Sequence, residues 1–170
     1  SNFLDMQRLK AKLDTCHFQA LAVTPLLEEA AALYAISSVN HRISVHSPSG
    51  LPPVFGDEAL LHQALVNLVS NAVKYSPACA VVQVSLDSTD GQIYLRVADQ
   101  GKGIPDAEKN RIFDKFYRIG SEDTRQTKGT GLGLSIAQAL ITQNNGMIEC
   151  NSEAGNTVFS VLLPMGTGND

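Results

Sequence analysis

Two runs of alternating apolar and polar residues constrain the fold more than any other feature of this sequence. Val81 to Leu86 and Ile93 to Val97 each place apolar side chains at every second position, and Asp87-Ser88-Thr89-Asp90-Gly91 joins them. Strands that alternate in this way bury one face only, and so short a connection allows only an antiparallel hairpin. A parallel sheet wound by helices on both faces is therefore disfavoured. The rest of the chain must supply what covers the apolar side of that hairpin.

The covering elements are legible on either side. Thr24-Pro25 reads as a helix start, with Thr24 as N-cap and Pro25 at the first helical position. Glu28 and Glu29 in its early turns suit the helix dipole, and the helix extends to about Ser38. Ile43 and Val45 alternate with polar residues, predicting a strand over 41–47. Residues 47–56, with three prolines and two glycines, read as a loop. Asp57 caps a long helix that reaches about Tyr75 and stops at Ser76-Pro77. Residues 99–133 are rich in glycine and charge. A helix then covers Leu132 to Gln143, and strands are predicted at Met147 to Cys150 and Val158 to Leu163. The order predicts an α+β sandwich: a mixed, mostly antiparallel sheet with helices on one face. Apolar spacing over 3–14 adds a helix end whose partner is not in this chain, which suggests a linker at 1–21 and one domain over 22–170.

Composition excludes several classes of function. The chain has 170 residues, enough for a sizeable core, and is 44% hydrophobic and 18% charged, as in ordinary globular domains. Its formal charge of -4 gives no reason to expect nucleic-acid or membrane binding. No apolar stretch approaches the roughly 18 residues of a membrane span, and Ser1-Asn2-Phe3-Leu4-Asp5 does not resemble a signal peptide. A cytoplasmic location is expected, with membrane anchorage of a longer parent left open. Cys16, Cys79 and Cys150 form no CxxC pair, so reduced thiols are expected and not a zinc or redox centre.

Four segments carry residues suited to chemistry. Asn67, Asn71 and Lys74 stack on one stripe of the long helix, beside an apolar stripe of Leu61, Leu65, Leu68 and Ala72. Two amides and an ammonium in line suit either a solvated face or a hydrated Mg²⁺ with the phosphates it carries. Asp99-Gln100-Gly101-Lys102-Gly103-Ile104-Pro105 follows a strand. It is either a turn or a place where a carboxylate accepts from an exocyclic amine while glycine backbone approaches a flat ring. Phe113 and Phe116 precede a polar stretch, Gly120 to Thr127, and suit anchoring one end of it, with Arg118 and Lys128 at its two ends. Lys128-Gly129-Thr130-Gly131-Leu132-Gly133 leads into a helix, where free N–H groups suit phosphate. It matches neither the P-loop nor GxGxxG.

In this order and spacing, the four segments resemble the N, G1, F and G2 boxes of the sensor histidine kinase ATP-binding domain. They are Asn67-Leu-Val-Ser-Asn71-Ala-Val-Lys74-Tyr75, Asp99-x-Gly101-x-Gly103-Ile-Pro, Phe113-x-x-Phe116-Tyr-Arg118 and Gly129-Thr-Gly131-Leu-Gly133-Leu. The resemblance covers about residues 22–164. It implies the Bergerat fold shared with gyrase, Hsp90 and MutL, and a protein-histidine kinase activity in two-component signalling. Asn71 would coordinate Mg²⁺, supported by Asn67, and Lys74 would contact phosphate; these three are the catalytic candidates. Tyr75 would pack near adenine or ribose, and Asp99 would accept the adenine amine. Gly101, Gly103 and Ile104 would shape that pocket. Phe113 and Phe116 would anchor an ATP lid carrying Arg118 and Lys128. Gly129, Thr130, Gly131, Leu132 and Gly133 would close over the triphosphate. Thr157 resembles the family's hydroxyl residue behind the adenine, although Ala154-Gly155-Asn156-Thr157 is one residue shorter than the usual turn.

The resemblance also sets partners. No histidine here is followed by an acid: the successors of His17, His41, His46 and His62 are Phe18, Arg42, Ser47 and Gln63. The phosphoacceptor is therefore expected on a separate dimerisation domain. Leu4-Asp5-Met6-Gln7-Arg8-Leu9 resembles the end of that domain's second helix, and a response regulator would follow downstream. In hydrolysing relatives a Glu stands where this chain has Asn67, and an amide cannot act as that general base. Two alternatives remain at this point: a nucleotide-binding pseudokinase and a serine kinase module of the anti-sigma-factor type.

Overall fold

The structure, a computed structural model, describes residues 7, 17–37, 42–77, 79–101, 103–104, 106–108, 111–113, 133–153 and 156–165. The strands are β1 (Gln19–Leu21), β2 (Arg42–His46), β3 (Val54–Gly56), β4 (Val81–Thr89), β5 (Gln92–Asp99), β6 (Met147–Glu153) and β7 (Asn156–Pro164). The helices are α1 (Val23–Ser37), α2 (Glu58–Tyr75) and α3 (Gly133–Gln143), with one short 3-10 turn at Asp106–Glu108. Of the helix expected over 3–14 only Gln7 falls among the described residues, and the lid region lies outside them.

The hairpin forms the middle of a five-stranded sheet of order β2-β4-β5-β7-β6, so β5 is its central strand. Every pairing is antiparallel except β2 with β4. Both hairpin strands run further than their apolar cores suggested, and the connection tightens to Asp90-Gly91 at positive φ. Asp87, Ser88 and Thr89 are ladder residues opposite Tyr94, Ile93 and Gln92. Polar alternates hid this extension, because a ladder needs backbone groups and not apolar side chains.

Alternation then sets what is buried. Val82, Val84, Leu86, Ile93, Leu95, Val97, Phe159, Val161 and Leu163 all point into the core, whereas Gln83, Asp87 and Arg96 point outward and are exposed. The buried stripe of α2, which includes Leu61, Leu65, Leu68 and Ala72 at 0% exposure, packs against that inner face. Each such leucine contributes about 1.5–3 kcal/mol relative to an exposed one. Leu27 and Ala30 of α1 and Ala137, Leu140 and Ile141 of α3 complete the same core. The expected α+β sandwich, with helices on one face, is the architecture found.

Three local expectations change. Helix α1 begins at Val23, so Thr24 lies inside its first turn, and its Oγ1 hydrogen-bonds Ser47 Oγ at 2.8 Å. Glu28 and Glu29 fall beyond that first turn, too far along to act strongly on the dipole. The loop predicted for 47–56 contains β3, which pairs antiparallel with β1 in a second, two-stranded sheet. Three-residue strands carry too little alternation to announce themselves. Phe18 and Phe55 pack their rings 5.7 Å apart beside that pair. Cys79 is exposed and Cys150 half-buried, and Cys16 lies outside the described residues.

Candidate functional site

Helix α2 lies over the central strand, and its C-terminal half meets the end of β5. Asp57 caps the helix: its side chain accepts from Leu60 N–H at 3.0 Å, and Ser76 closes the other end by donating its N–H to Ala72 O. Between these caps the polar stripe keeps the predicted spacing. Asn67 and Asn71 are half-buried, and Lys74 and Tyr75 are exposed. Gln63 Nε2 donates to Asn67 Oδ1 at 2.9 Å, which fixes the amide of Asn67 one helical turn before Asn71. Sequence reading missed Gln63, although i, i+4 spacing from Asn67 was the available signal.

Asp99 ends β5 and is 3% exposed. Its Oδ1 accepts from Gly101 N–H at 2.9 Å. Burial pushes its carboxyl above the usual aspartate value, and the Gly101 hydrogen bond only partly offsets this. A buried carboxylate with a raised pKa at a strand end is costly to the fold, and such groups concentrate where a ligand will pair with them.

The need for glycine at position 101 has a cause the sequence could not show. A Cβ there would lie 2.5 Å from the Tyr75 carbonyl oxygen and 2.9 Å from Asp99 Oδ1. Gly101 thus lets the chain leaving β5 pass against the C-terminal turn of α2, which brings Asp99 and the Asn67–Tyr75 stripe to one place. Gly103 adopts φ +87, a conformation only glycine takes readily. Directly after it, Ile104 is buried and donates its N–H to Ser152 Oγ at 2.7 Å.

Thr157 stands opposite Asp99 in the β5–β7 register and is 4% exposed. Ser152 Oγ and Thr157 Oγ1 lie 2.8 Å apart, so a hydroxyl pair links β6, β7 and the turn after Asp99. Ser152 was not foreseen as part of this site, because a serine in an alternating strand carries no signal of its own. Phe113 packs edge-on against Phe159, with ring centroids 6.3 Å apart, and so ties the start of the expected lid to the core. Gly133 is the first residue of α3. Phe116, Arg118, Lys128, Gly129, Thr130, Gly131 and Leu132 lie outside the described residues. Asp99, Gly101, Ile104 and Thr157 are brought together where β5 ends, against the Tyr75 carbonyl at the C-terminal turn of α2, with Gly103 beside Ile104; Asn67, Asn71 and Lys74 lie further back along the same helix.

The chain belongs to the histidine kinase-, DNA gyrase B-, and HSP90-like ATPase family, whose sequence profile matches residues 56–167, and its type is the sensor histidine kinase ATP-binding domain. It is 34% identical over 164 residues to the sensor-like histidine kinase SenX3 of Mycolicibacterium smegmatis, covering 95% of this chain and 42% of SenX3. It is 36% identical over 153 residues to the adaptive-response sensory kinase SasA of a Synechocystis strain, covering 88% of this chain and 39% of SasA. The chain therefore spans about two-fifths of the length of these relatives. Among solved structures, full-length ShkA in complex with AMPPNP superposes with a TM-score of 0.78 at 28% identity, over 94% of this chain and 34% of that one. The mycobacterial sensor histidine kinase MprB gives 0.74 at 25% identity, over 88% and 97%. Among the described residues, no helix is long and apolar enough to cross a membrane.

Proposed function

We propose that this chain binds Mg·ATP between the C-terminal half of α2 and the end of β5, and donates the γ-phosphoryl group to a histidine on a dimerisation domain outside it. The observation that carries this reading is the Asp99 carboxylate, buried beside the Asn67–Tyr75 stripe with one oxygen already held by Gly101 N–H. A buried acceptor of that kind suits the exocyclic amine of adenine, which supplies the missing donor. The AMPPNP present in the ShkA complex supports an ATP-shaped ligand for this fold.

The residues also fit Mg²⁺. Among the described residues, no cluster of three or more His, Cys, Asp or Glu could hold an ion by itself. An amide oxygen from Asn71 suits a hard cation that completes its shell with phosphate and water. Bound there, Mg²⁺ would neutralise charge on the phosphates. Asn67, held by Gln63, supports that shell, and Lys74 presents its ammonium to phosphate. Thr157 and Ile104 line the adenine end, and Tyr75 flanks it. The remaining contacts, from Arg118, Lys128 and the stretch Gly129–Gly133, belong to this proposal by resemblance.

Transfer breaks the bond between the γ-phosphorus and the ADP oxygen and forms one to an imidazole nitrogen. The chain's own contribution is positioning and charge stabilisation, since Asn67 offers no general base for water. Residues 1–21 form the link to the dimerisation helices, 22–170 form the catalytic domain, and a response regulator receives the phosphoryl group afterwards. Calorimetric titration with a nonhydrolysable ATP analogue, with and without Mg²⁺ and with GTP as control, tests the site. Binding that requires adenine and tightens with Mg²⁺ is expected. No binding at millimolar nucleotide would overturn the proposal.

A further inference from the structure

The end of α2 away from the proposed nucleotide site holds a polar junction that helix capping alone does not explain. Capping needs one side-chain acceptor, and Asp57 Oδ1 provides it to Leu60 N–H. The second carboxylate oxygen, Oδ2, accepts from His17 N–H at 2.7 Å, across 40 positions of sequence. His17 itself is exposed, so burial of its side chain does not hold it in place. The chain runs from His17 into β1, whose partner β3 ends at Gly56, next to Asp57. One aspartate thus closes the small sheet at the point where the preceding segment reaches the domain.

The junction is also fastened from the other side. Asp57 N–H donates to Asn144 Oδ1 at 2.7 Å, and Asn144 Nδ2 donates to Leu140 O at 2.7 Å. Asn144 is 1% exposed, and Gly56 has no Cβ because one would lie 2.5 Å from Asn144 Oδ1. The start of α2, the end of α3 and the arriving chain therefore meet at Asp57. The two helices pack on each other, and their opposite ends carry the Asn67–Tyr75 stripe and Gly133.

We propose that Asp57 is a positioning residue for phosphoryl transfer: its Oδ2–His17 bond sets the orientation in which the segment preceding the domain leaves the ATP-binding body. This rests on the function proposed above. Two variants separate anchoring from capping. Asp57→Ser keeps a good cap but is too short to hold His17 as well. Asp57→Asn keeps Oδ1 for Leu60 and turns an NH₂ towards the His17 N–H.

The experiment reads three quantities. Amide hydrogen exchange at His17–Leu21 and the distance distribution between nitroxides at Gln7 and Glu149, on a cysteine-free background, are measured in this chain. Transfer to the acceptor histidine and affinity for a nonhydrolysable ATP analogue are measured in a kinase carrying its dimerisation domain. Both variants should exchange faster at His17, broaden the distance distribution and slow transfer by at least about tenfold, with nucleotide affinity within about twofold. Unchanged His17 exchange or an unchanged distance distribution would overturn the anchor. Transfer at the wild-type rate despite a released His17, or loss of transfer matched by equal loss of nucleotide affinity, would overturn its positioning role. If the unmodified kinase binds nucleotide but transfers nothing, the proposed function falls, while exchange and distance still decide the anchor.

Discussion

The two ends of α2 use the same kinds of side chain in opposite ways. At Asp57, both carboxylate oxygens and the residue's own N–H are matched by Leu60, His17 and Asn144. At the other end, Asn71 is half-buried and makes no side-chain hydrogen bond among the described residues, and Asp99 sits buried with its pKa raised. Polar groups satisfied within the protein stabilise and orient it. Polar groups left part-satisfied in a half-buried place are a standing cost that a ligand removes. The first end should therefore respond to substitution in stability, and the second in binding.

The largest expected effect is at the closed end. Asn144→Ala leaves the buried Asp57 N–H without a partner and opens a small void. It should cost about 2–3 kcal/mol and lower the melting temperature by roughly 5–10 °C. Calorimetric melting checks the loss, and ATP-analogue affinity at a temperature where the variant is folded should not change. A stable Asn144→Ala that binds nucleotide poorly would invert the comparison.

Asn71→Ala should do the reverse. Its stability change should stay within about 0.5 kcal/mol, since nothing described depends on that amide. The Mg²⁺-dependent gain in nucleotide affinity should fall at least about tenfold, and transfer should be lost with it. Titrations at several Mg²⁺ concentrations check this. Binding that still tightens with Mg²⁺ would remove Asn71 from the site.

Asp99 sharpens the comparison through pH. Its folded-state pKa lies above the unfolded value because burial disfavours the ionised form. Its contribution to stability is thus present below the unfolded value of 3.8 and lost as pH rises through the raised one. Adenine binding runs the other way: it needs the carboxylate and should weaken on acidification at a higher pH than an ordinary aspartate would give. Asp99→Asn removes the buried charge and points an NH₂ at the adenine amine. Melting temperature at neutral pH should hold or rise, while preference for ATP over GTP falls about tenfold. A variant with both lower stability and intact base preference would assign Asp99 to the fold alone.

Much of this division was legible in sequence, for a physical reason. Signals that repeat along the chain were readable: the alternation of β4 and β5, the α2 core stripe, and the cap at Asp57. The placement of the candidate residues on α2 and β5 was readable too, because Asn67, Asn71 and Lys74 share one helix and Asp99 ends an obvious strand. Partners brought in from elsewhere were not. Asn144 beneath Asp57, Ser152 behind Ile104, and the Tyr75 carbonyl that requires Gly101 are all created by packing between distant segments. The pairing of β1 with β3 belongs to the same group, since each is too short to show a period.

Gln63 lies between these cases and gives the smallest effect. It is one turn from Asn67, so spacing could have placed it on the polar stripe, but only the structure shows its amide donating to Asn67 Oδ1. An i, i+4 side-chain hydrogen bond on a half-exposed helix face is worth about 0.2–0.5 kcal/mol. Gln63→Ala should therefore leave the melting temperature almost unchanged. If holding Asn67 matters to the ligand, nucleotide affinity should still fall by about two- to threefold, and Gln63→Glu, which cannot donate, should match it. Affinities of both variants equal to wild type would make Gln63 an ordinary surface residue, and the boundary between the closed and open ends of α2 would then fall after position 63.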